Sequence, residues 1–130
     1  RRTTWQARQM TEAAQIWNRA ACESGGSAPR AGDAALAAML TAHGLVMNGG
    51  VFHAVELLGA DALQRSCAGY VFFGFEALAA VLLAAGSAEQ NEETVGEADH
   101  AYWAHAPDDG VLYERFLKDF VSNPDQYAPM

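Results

Sequence analysis

The sequence predicts an all-α protein, folded over residues 1–130 as a single compact bundle of about five to seven helices. Hydrophobic residues make up 51% of the chain, and alanine, the strongest helix former, supplies much of that share. Apolar residues recur at steps of three and four along most of the chain, as they do on the buried side of an amphipathic helix. No segment alternates apolar and polar residues as a half-buried strand does.

The first two predicted helices are separated by a loop rich in glycine and serine at 24–29. Thr3 and Gln6 have the spacing of a capping box, which opens the first helix. Asp33 caps the second helix, and 48–50 (Asn-Gly-Gly) ends it, because Asn and Gly tolerate the left-handed backbone of a helix C-terminus. The apolar stripes of the two helices are Met10, Ala13, Ala14, Trp17 and Ala21, and then Leu36, Met39, Leu40, His43 and Met47.

The middle of the chain predicts a short third helix and then two buried helices. The third helix covers residues 51–58 and is closed by Gly59. The longest apolar stretch lies between Arg65 and Glu89, and a bend at 73–75 divides it into two helices. A membrane span is the rejected alternative, because Glu76 would lie near the bilayer centre and no basic cluster flanks the stretch. The aromatic residues predicted to lie in the core here are Tyr70, Phe72, Phe73 and Phe75.

The C-terminal part predicts a polar segment and then the clearest helix of the chain. Residues 86–98 are polar and acidic, and form either a loop or a weak exposed helix. A short helical pattern over 99–106 leads through a turn at 107–110 into an amphipathic helix that ends at 123–124 (Asn-Pro). Its solvent side carries two predicted i,i+4 ion pairs. These pairs are Glu114–Lys118 and Arg115–Asp119.

Charge is distributed very unevenly along the chain. The formal net charge is −8, yet residues 66–130 alone hold two basic and eleven acidic side chains, a net charge of −9. The negative electrostatic field of this part of the chain disfavours nucleic acid and anionic membranes as direct partners. It favours a basic protein partner, or serves solubility alone. Cys22 and Cys67 lack CxxC spacing and predict free, buried thiols, which suits a reducing compartment and hence a cytoplasmic protein.

Catalytic and metal-binding constellations are not evident in the sequence. His53 and Glu56 stand at i,i+3, and His100 and His105 are five residues apart, but neither pair completes the ligand set of a helical zinc or di-iron site. Gly-x-Ser-x-Gly and phosphate-loop motifs are also missing. We therefore predict no catalytic residues, no metal and no cofactor, and a protein that is not an enzyme. An enzyme would need the histidines to converge in one pocket, and His43 is more simply a hydrogen-bonded core residue.

The acidic segment suggests a different kind of site. If residues 87–98 are helical, Glu89, Glu93 and Glu97 fall on one line, spaced by roughly 6 Å along the helix axis. DNA carries a phosphate about every 3.4 Å per strand, so such a row could imitate part of a phosphate track. The alternative is a solvated loop whose like charges keep it extended.

A set of short motifs resembles those of an all-helical bacterial domain family that includes a DNA-mimic protein. The motifs are Asn48-Gly49-Gly50, Leu58-Gly59-Ala60, 69–74 (Gly-Tyr-Val-Phe-Phe-Gly), Tyr102-Trp103, and a last helix followed by 123–127 (Asn-Pro-Asp-Gln-Tyr). Val51 stands where the family usually has an aromatic residue. The resemblance covers residues 36–127 and implies a helical, acidic, non-enzymatic protein. In the DNA-mimic member, surface carboxylates imitate phosphates and occupy a DNA-binding protein.

These observations together predict an acidic domain that binds a basic protein, with DNA mimicry as the leading hypothesis. The predicted partner-binding residues are Glu89, Glu92, Glu93, Glu97, Asp99, Asp108 and Asp109. The alternative is an immunity-type or regulatory protein that neutralises a toxin or enzyme, or a phage-defence component. Assembly as a homodimer stays open, because Trp5 or Trp103 could mark a dimer surface as well as a partner site.

Overall fold

The computed structural model describes residues 4–130, and these residues form six α-helices and one short 3₁₀ helix. The helices are α1 (Thr4–Glu23), α2 (Ala31–Gly49), α3 (Val51–Phe72), α4 (Glu76–Ser87), α5 (Glu92–His105) and α6 (Asp109–Ser122), followed by the 3₁₀ turn Pro124–Gln126. The all-α bundle predicted from the sequence is confirmed. The capping box predicted at the start of α1 depends on Thr3, which lies outside the described residues.

The centre of the bundle is the crossing of α2 and α3, which pack against each other more extensively than any other pair. Gly69 of α3 lies at this crossing, and a Cβ built on it would be 2.5 Å from the Ala35 carbonyl oxygen of α2. Large side chains from four other helices close the core around this pair. They include Ile16, Leu78, Leu82, Tyr102, Leu112 and Phe116, all of which are fully buried.

The breaks predicted in the middle of the chain are present. Gly59 has φ 76° and ψ 175°, so it interrupts α3 with a kink at the predicted position. The α3–α4 turn occupies residues 73–75, and Gly74 there has a positive φ of 81°. No helix within residues 4–130 is both long and apolar enough to cross a membrane.

The polar segment predicted at 86–98 combines the two alternatives that the sequence left open, a loop and an exposed helix. Residues 88–91 form the loop, whereas Glu92–His105 is one continuous helix that absorbs the short pattern predicted at 99–106. Asn91 explains the early start, because its side-chain oxygen accepts the Thr94 N–H at 2.9 Å while the Thr94 hydroxyl accepts the Asn91 N–H at 2.9 Å. This reciprocal capping compensates for the weak helix propensity of the segment.

Other sequence predictions were wrong about side chains. Neither Glu114–Lys118 nor Arg115–Asp119 forms an ion pair. Arg115 instead donates to the Phe73 carbonyl at 2.9 Å. Asp119 accepts the Tyr127 hydroxyl at 2.6 Å. Both cysteines are free, as predicted, but Cys22 is exposed and only Cys67 is buried. Among the predicted core aromatics, Phe72 is 38% exposed.

The C-terminal segment is fixed to the bundle by a buried ion pair that the sequence did not indicate. Arg19 Nη2 of α1 donates to Asp33 Oδ1 of α2 at 2.9 Å. Asp33 Oδ2 accepts the backbone N–H groups of Arg30 at 2.9 Å and of Ala128 at 2.7 Å. Tyr127 is buried beside Gly32, where a Cβ would lie 2.6 Å from its ring. The residues after α6 are therefore part of the packed structure.

Candidate protein-binding surface

Four of the predicted partner-binding carboxylates lie on an exposed surface at the start of α5. We call Glu89, Glu92, Glu93 and Glu97 the acidic face. All four side chains are exposed, and their carboxylates have no ion pair or hydrogen-bond partner within residues 4–130. Negative side chains in the first turn of a helix are stabilised by its dipole, so Glu92 and Glu93 also support the start of α5.

The acidic face does not form the regular row of three that the sequence suggested. Glu93 and Glu97 are one helical turn apart, which places them roughly 6 Å apart along the axis. Glu89 precedes the helix and lies in the loop at 88–91, so it cannot continue the line. The segment 87–98 is therefore not helical throughout, as the row of three required. The acidic face instead consists of Glu93 and Glu97 in a row on α5, Glu92 at the start of the same helix, and Glu89 in the preceding loop.

The three predicted aspartates have contacts within the bundle. Asp99 Oδ1 accepts the Val51 N–H at 2.8 Å and so caps the first turn of α3 after the Asn-Gly-Gly turn. Asp108 is the N-cap of α6 and accepts the Gly110 N–H at 2.9 Å. Asp109 Oδ1 contacts His43 Nε2 at 2.7 Å, although 69% of its side chain is exposed. These carboxylates stabilise the fold, and a role in binding would compete with that task.

A buried hydrogen-bonded chain joins α2, α3, α5 and α6. His43 Nδ1 lies 2.7 Å from the Tyr102 hydroxyl, which lies 2.6 Å from the Tyr70 hydroxyl. One consistent direction has Tyr70 donating to Tyr102, Tyr102 donating to Nδ1, and Nε2–H donating to Asp109. Burial raises the pKa values of both tyrosines, so they keep their protons at neutral pH. His43 is thus a hydrogen-bonded core residue, in agreement with its position on an apolar stripe.

Replacing Tyr102 with phenylalanine tests this chain. The Tyr102→Phe variant removes one hydroxyl and leaves His43 Nδ1 and the Tyr70 hydroxyl without their partner in the core. We expect the free energy of unfolding to fall by about 1–2 kcal/mol, the cost of unsatisfied buried polar groups, as measured by urea denaturation. Tyr113→Phe is the matched control, because the Tyr113 ring packs on Trp17 and its hydroxyl has no partner among the described residues. Equal losses in the two variants would contradict the prediction.

An apolar groove lies beside the acidic face, between α4 and α5. Its volume is about 240 Å³. The residues that line it are Phe52, Val81, Ala84, Ala85, Ala88, Thr94, Glu97, Ala98 and Ala101. Glu97 belongs to both features and places a carboxylate on the edge of the groove. Sequence reasoning missed the groove because small residues on α4 and α5 become a surface only when the two helices are known to be neighbours.

A second, more polar cavity of about 220 Å³ lies under the Asn-Gly-Gly turn. The His53 ring packs over Gly49, where a Cβ would be 2.5 Å from the ring, and His53 Nε2 is buried without a partner among residues 4–130. Glu56 and Asp99 also line this cavity. The remaining histidines lie elsewhere: His43 is in the core, and His100 and His105 are exposed on α5. Within residues 4–130, no group of three or more His, Cys, Asp or Glu side chains is arranged to hold a metal ion.

The fold and this surface define an all-α bundle with an acidic face that meets an apolar groove at Glu97. Comparisons of the chain with protein families, with curated proteins and with solved structures found no match.

Proposed function

We propose that this protein is a non-enzymatic binding domain whose acidic face docks onto a basic protein, as a DNA mimic does. The observation that carries the proposal is a set of four exposed carboxylates without partners among residues 4–130, one of which, Glu97, also lines an apolar groove. Carboxylates that are tied to the bundle, such as Asp99 and Asp108, have a structural role. The carboxylates of the acidic face have no structural task of that kind beyond the helix dipole.

The combination of a charged rim with an apolar groove is typical of a protein interface. Interfaces have an apolar centre and a polar, hydrated edge, and charged rims increase the rate of association with a partner of opposite charge. The local excess of charge supports the same proposal, because residues 66–130 carry a net charge of −9. Two free thiols fit a protein that works in the cytoplasm.

The test is capture of binding proteins from lysate of the source organism, with the tagged protein as bait and washes at low and high salt. We expect a basic DNA-binding protein that is lost at high salt and displaced by duplex DNA, because both effects follow from an electrostatic interface. Its affinity for the purified bait should then be measured by isothermal titration calorimetry. Glu89→Lys, Glu93→Lys and Glu97→Lys combined should weaken binding roughly 100-fold, at about 1 kcal/mol for each reversed charge.

A matched variant separates the acidic face from net charge. Glu23→Lys, Asp61→Lys and Glu114→Lys combined change the net charge by the same amount, but these exposed residues lie on α1, α3 and α6. We expect this control to bind within a few fold of the original protein. Equal losses in the two triple variants would contradict a role for the acidic face. A salt-resistant partner that duplex DNA does not displace, such as a toxin or an enzyme, would instead favour the immunity-type or regulatory alternative.

A further inference from the structure

Another cleft in the surface has the opposite electrostatic character. It is a cleft of about 340 Å³ between the α3–α4 turn and α6. Arg115 and Lys118 both line it, and they are the only basic residues between positions 66 and 130. The most acidic part of the chain therefore concentrates its two positive charges in one cleft, on a different part of the surface from the groove between α4 and α5.

Arg115 is held in place within this cleft. Its Nη1 donates to the Phe73 carbonyl at 2.9 Å, and its guanidinium carbon lies 5.3 Å from the centre of the Phe75 ring. Gly74 leaves room for the guanidinium, because a Cβ there would be 2.5 Å from Nη1. Since a guanidinium has five N–H donors and one hydrogen bond occupies Nη1, the remaining donors are available to a ligand at little cost in conformational entropy.

Lys118 follows Arg115 by three residues on α6, a little less than one helical turn. Its side chain is exposed, and its ammonium pairs with no carboxylate within residues 4–130. The predicted partner Glu114 leaves it free. Asp119 also lines the cleft, but both of its oxygens already have partners, at 3.2 Å from Asn123 Nδ2 and at 2.6 Å from the Tyr127 hydroxyl. The three charged side chains of the cleft sum to a single positive charge.

The ligand's charge and shape follow from these residues. One net positive charge balances a monoanion, whereas the overall charge of −8 repels a dianion more strongly than a monoanion. A guanidinium fork matches the two oxygens of a carboxylate. Phe72 also lines the cleft and is 38% exposed, so an apolar group attached to the carboxylate would bury surface that is now in water.

We propose that the cleft between the α3–α4 turn and α6 is a binding site for a monocarboxylate with an apolar or aromatic body. The carboxylate contacts the free N–H groups of Arg115 and the Lys118 ammonium, and the body lies against Phe72. The site is separate from the acidic face and does not depend on the function proposed for it.

The experiment is an NMR titration of the ¹⁵N-labelled protein with 3-phenylpropionate at constant ionic strength. We expect saturable shifts of the backbone amides around the cleft, at Phe73, Gly74 and Asn123. The neutral alcohol 3-phenylpropanol and inorganic phosphate are titrated in parallel, and both should bind at least about tenfold more weakly, because each lacks either the charge or the apolar body. Shifts without saturation, or shifts elsewhere, would overturn the site. Tighter binding of the alcohol or of phosphate would overturn the ligand class.

Two variants assign the contacts. Arg115→Gln should weaken binding about tenfold, the effect of losing a charge-assisted hydrogen bond. Because this change also removes the contact with the Phe73 carbonyl, Lys118→Gln provides the second test, with an expected loss of about threefold and an unchanged Tm. Arg65→Gln is the matched control, since Arg65 is an exposed residue of α3 that lies outside this cleft. Unchanged binding in Lys118→Gln, or an equal loss in Arg65→Gln, would contradict the proposal.

Discussion

Replacing Asp33 with alanine is expected to lower the free energy of unfolding by about 3–5 kcal/mol, the usual cost of removing one partner from a buried ion pair. Asp33 has no exposed surface, and its carboxylate accepts three hydrogen bonds. They come from Arg19 Nη2, the Arg30 N–H and the Ala128 N–H. The side chain therefore joins α1, the start of α2 and the C-terminal segment.

The large cost arises from the groups that Asp33→Ala leaves behind. Arg19 is only 12% exposed in its side chain, and without Asp33 its guanidinium would keep hydrogen bonds to the carbonyl oxygens of Ala128 and Pro129 but would have no carboxylate partner among residues 4–130. Two backbone N–H groups would lose their acceptor as well. Each buried donor without a partner costs about 1–3 kcal/mol. The C-terminal segment should also be held less firmly, because it loses the Ala128 N–H contact, although the hydrogen bond from the Tyr127 hydroxyl to Asp119 remains.

Thermal and urea unfolding followed by circular dichroism would measure this effect, with an expected fall in Tm on the order of 10 °C or more. Asp61→Ala is the matched control, because Asp61 is an exposed residue of α3 and its loss should change stability by no more than about 0.5 kcal/mol. The double variant Arg19→Ala with Asp33→Ala should lose less than the two single losses added together, since the partners interact directly. Additive losses would show that the pair is not coupled.

The sequence predicted the helices well because the signals for them are local. The kink at Gly59 and the turn at 73–75 follow from residues whose conformational preferences do not depend on distant contacts. The boundary of α5 was harder to predict, because the helical pattern there is weak and the start of the helix depends on the reciprocal capping by Asn91 and Thr94. A single N-cap of this kind contributes about 1 kcal/mol, enough to decide a marginal helix.

Side-chain partners were predicted less well because they depend on which helices are neighbours. Arg115 and Asp119 have the spacing of an ion pair, yet each has a partner from another part of the chain. An exposed i,i+4 pair is worth only a few tenths of a kcal/mol, so a better-positioned carbonyl or hydroxyl wins. The contact by which Asp99 of α5 caps α3 also depends on which helices are neighbours. It joins residues 48 positions apart, so no local sequence pattern reveals it.

Replacing Gly69 with alanine is expected to lower the free energy of unfolding by about 3 kcal/mol, near the upper end of the usual cost of overpacking. The new Cβ would be 2.5 Å from the Ala35 carbonyl oxygen and 3.2 Å from the Met39 nitrogen. Both are backbone atoms of α2, so no side chain can move aside to make room. The helices α2 and α3 would have to separate at the centre of the core, and neighbouring contacts such as the Ser66 hydroxyl to the Ala38 carbonyl, at 3.2 Å, would lengthen.

The sign of the effect distinguishes this contact from the general preference of helices for alanine. Gly44 lies inside α2, and a Cβ there would meet no atom within 4 Å, so Gly44→Ala should stabilise the protein by about 0.5–1 kcal/mol through helix propensity alone. Urea denaturation of both variants measures the two changes under the same conditions. Opposite signs are expected, because the two positions differ in the space around the added methyl group. A stabilising effect at both positions would mean that α2 and α3 can move apart at little cost.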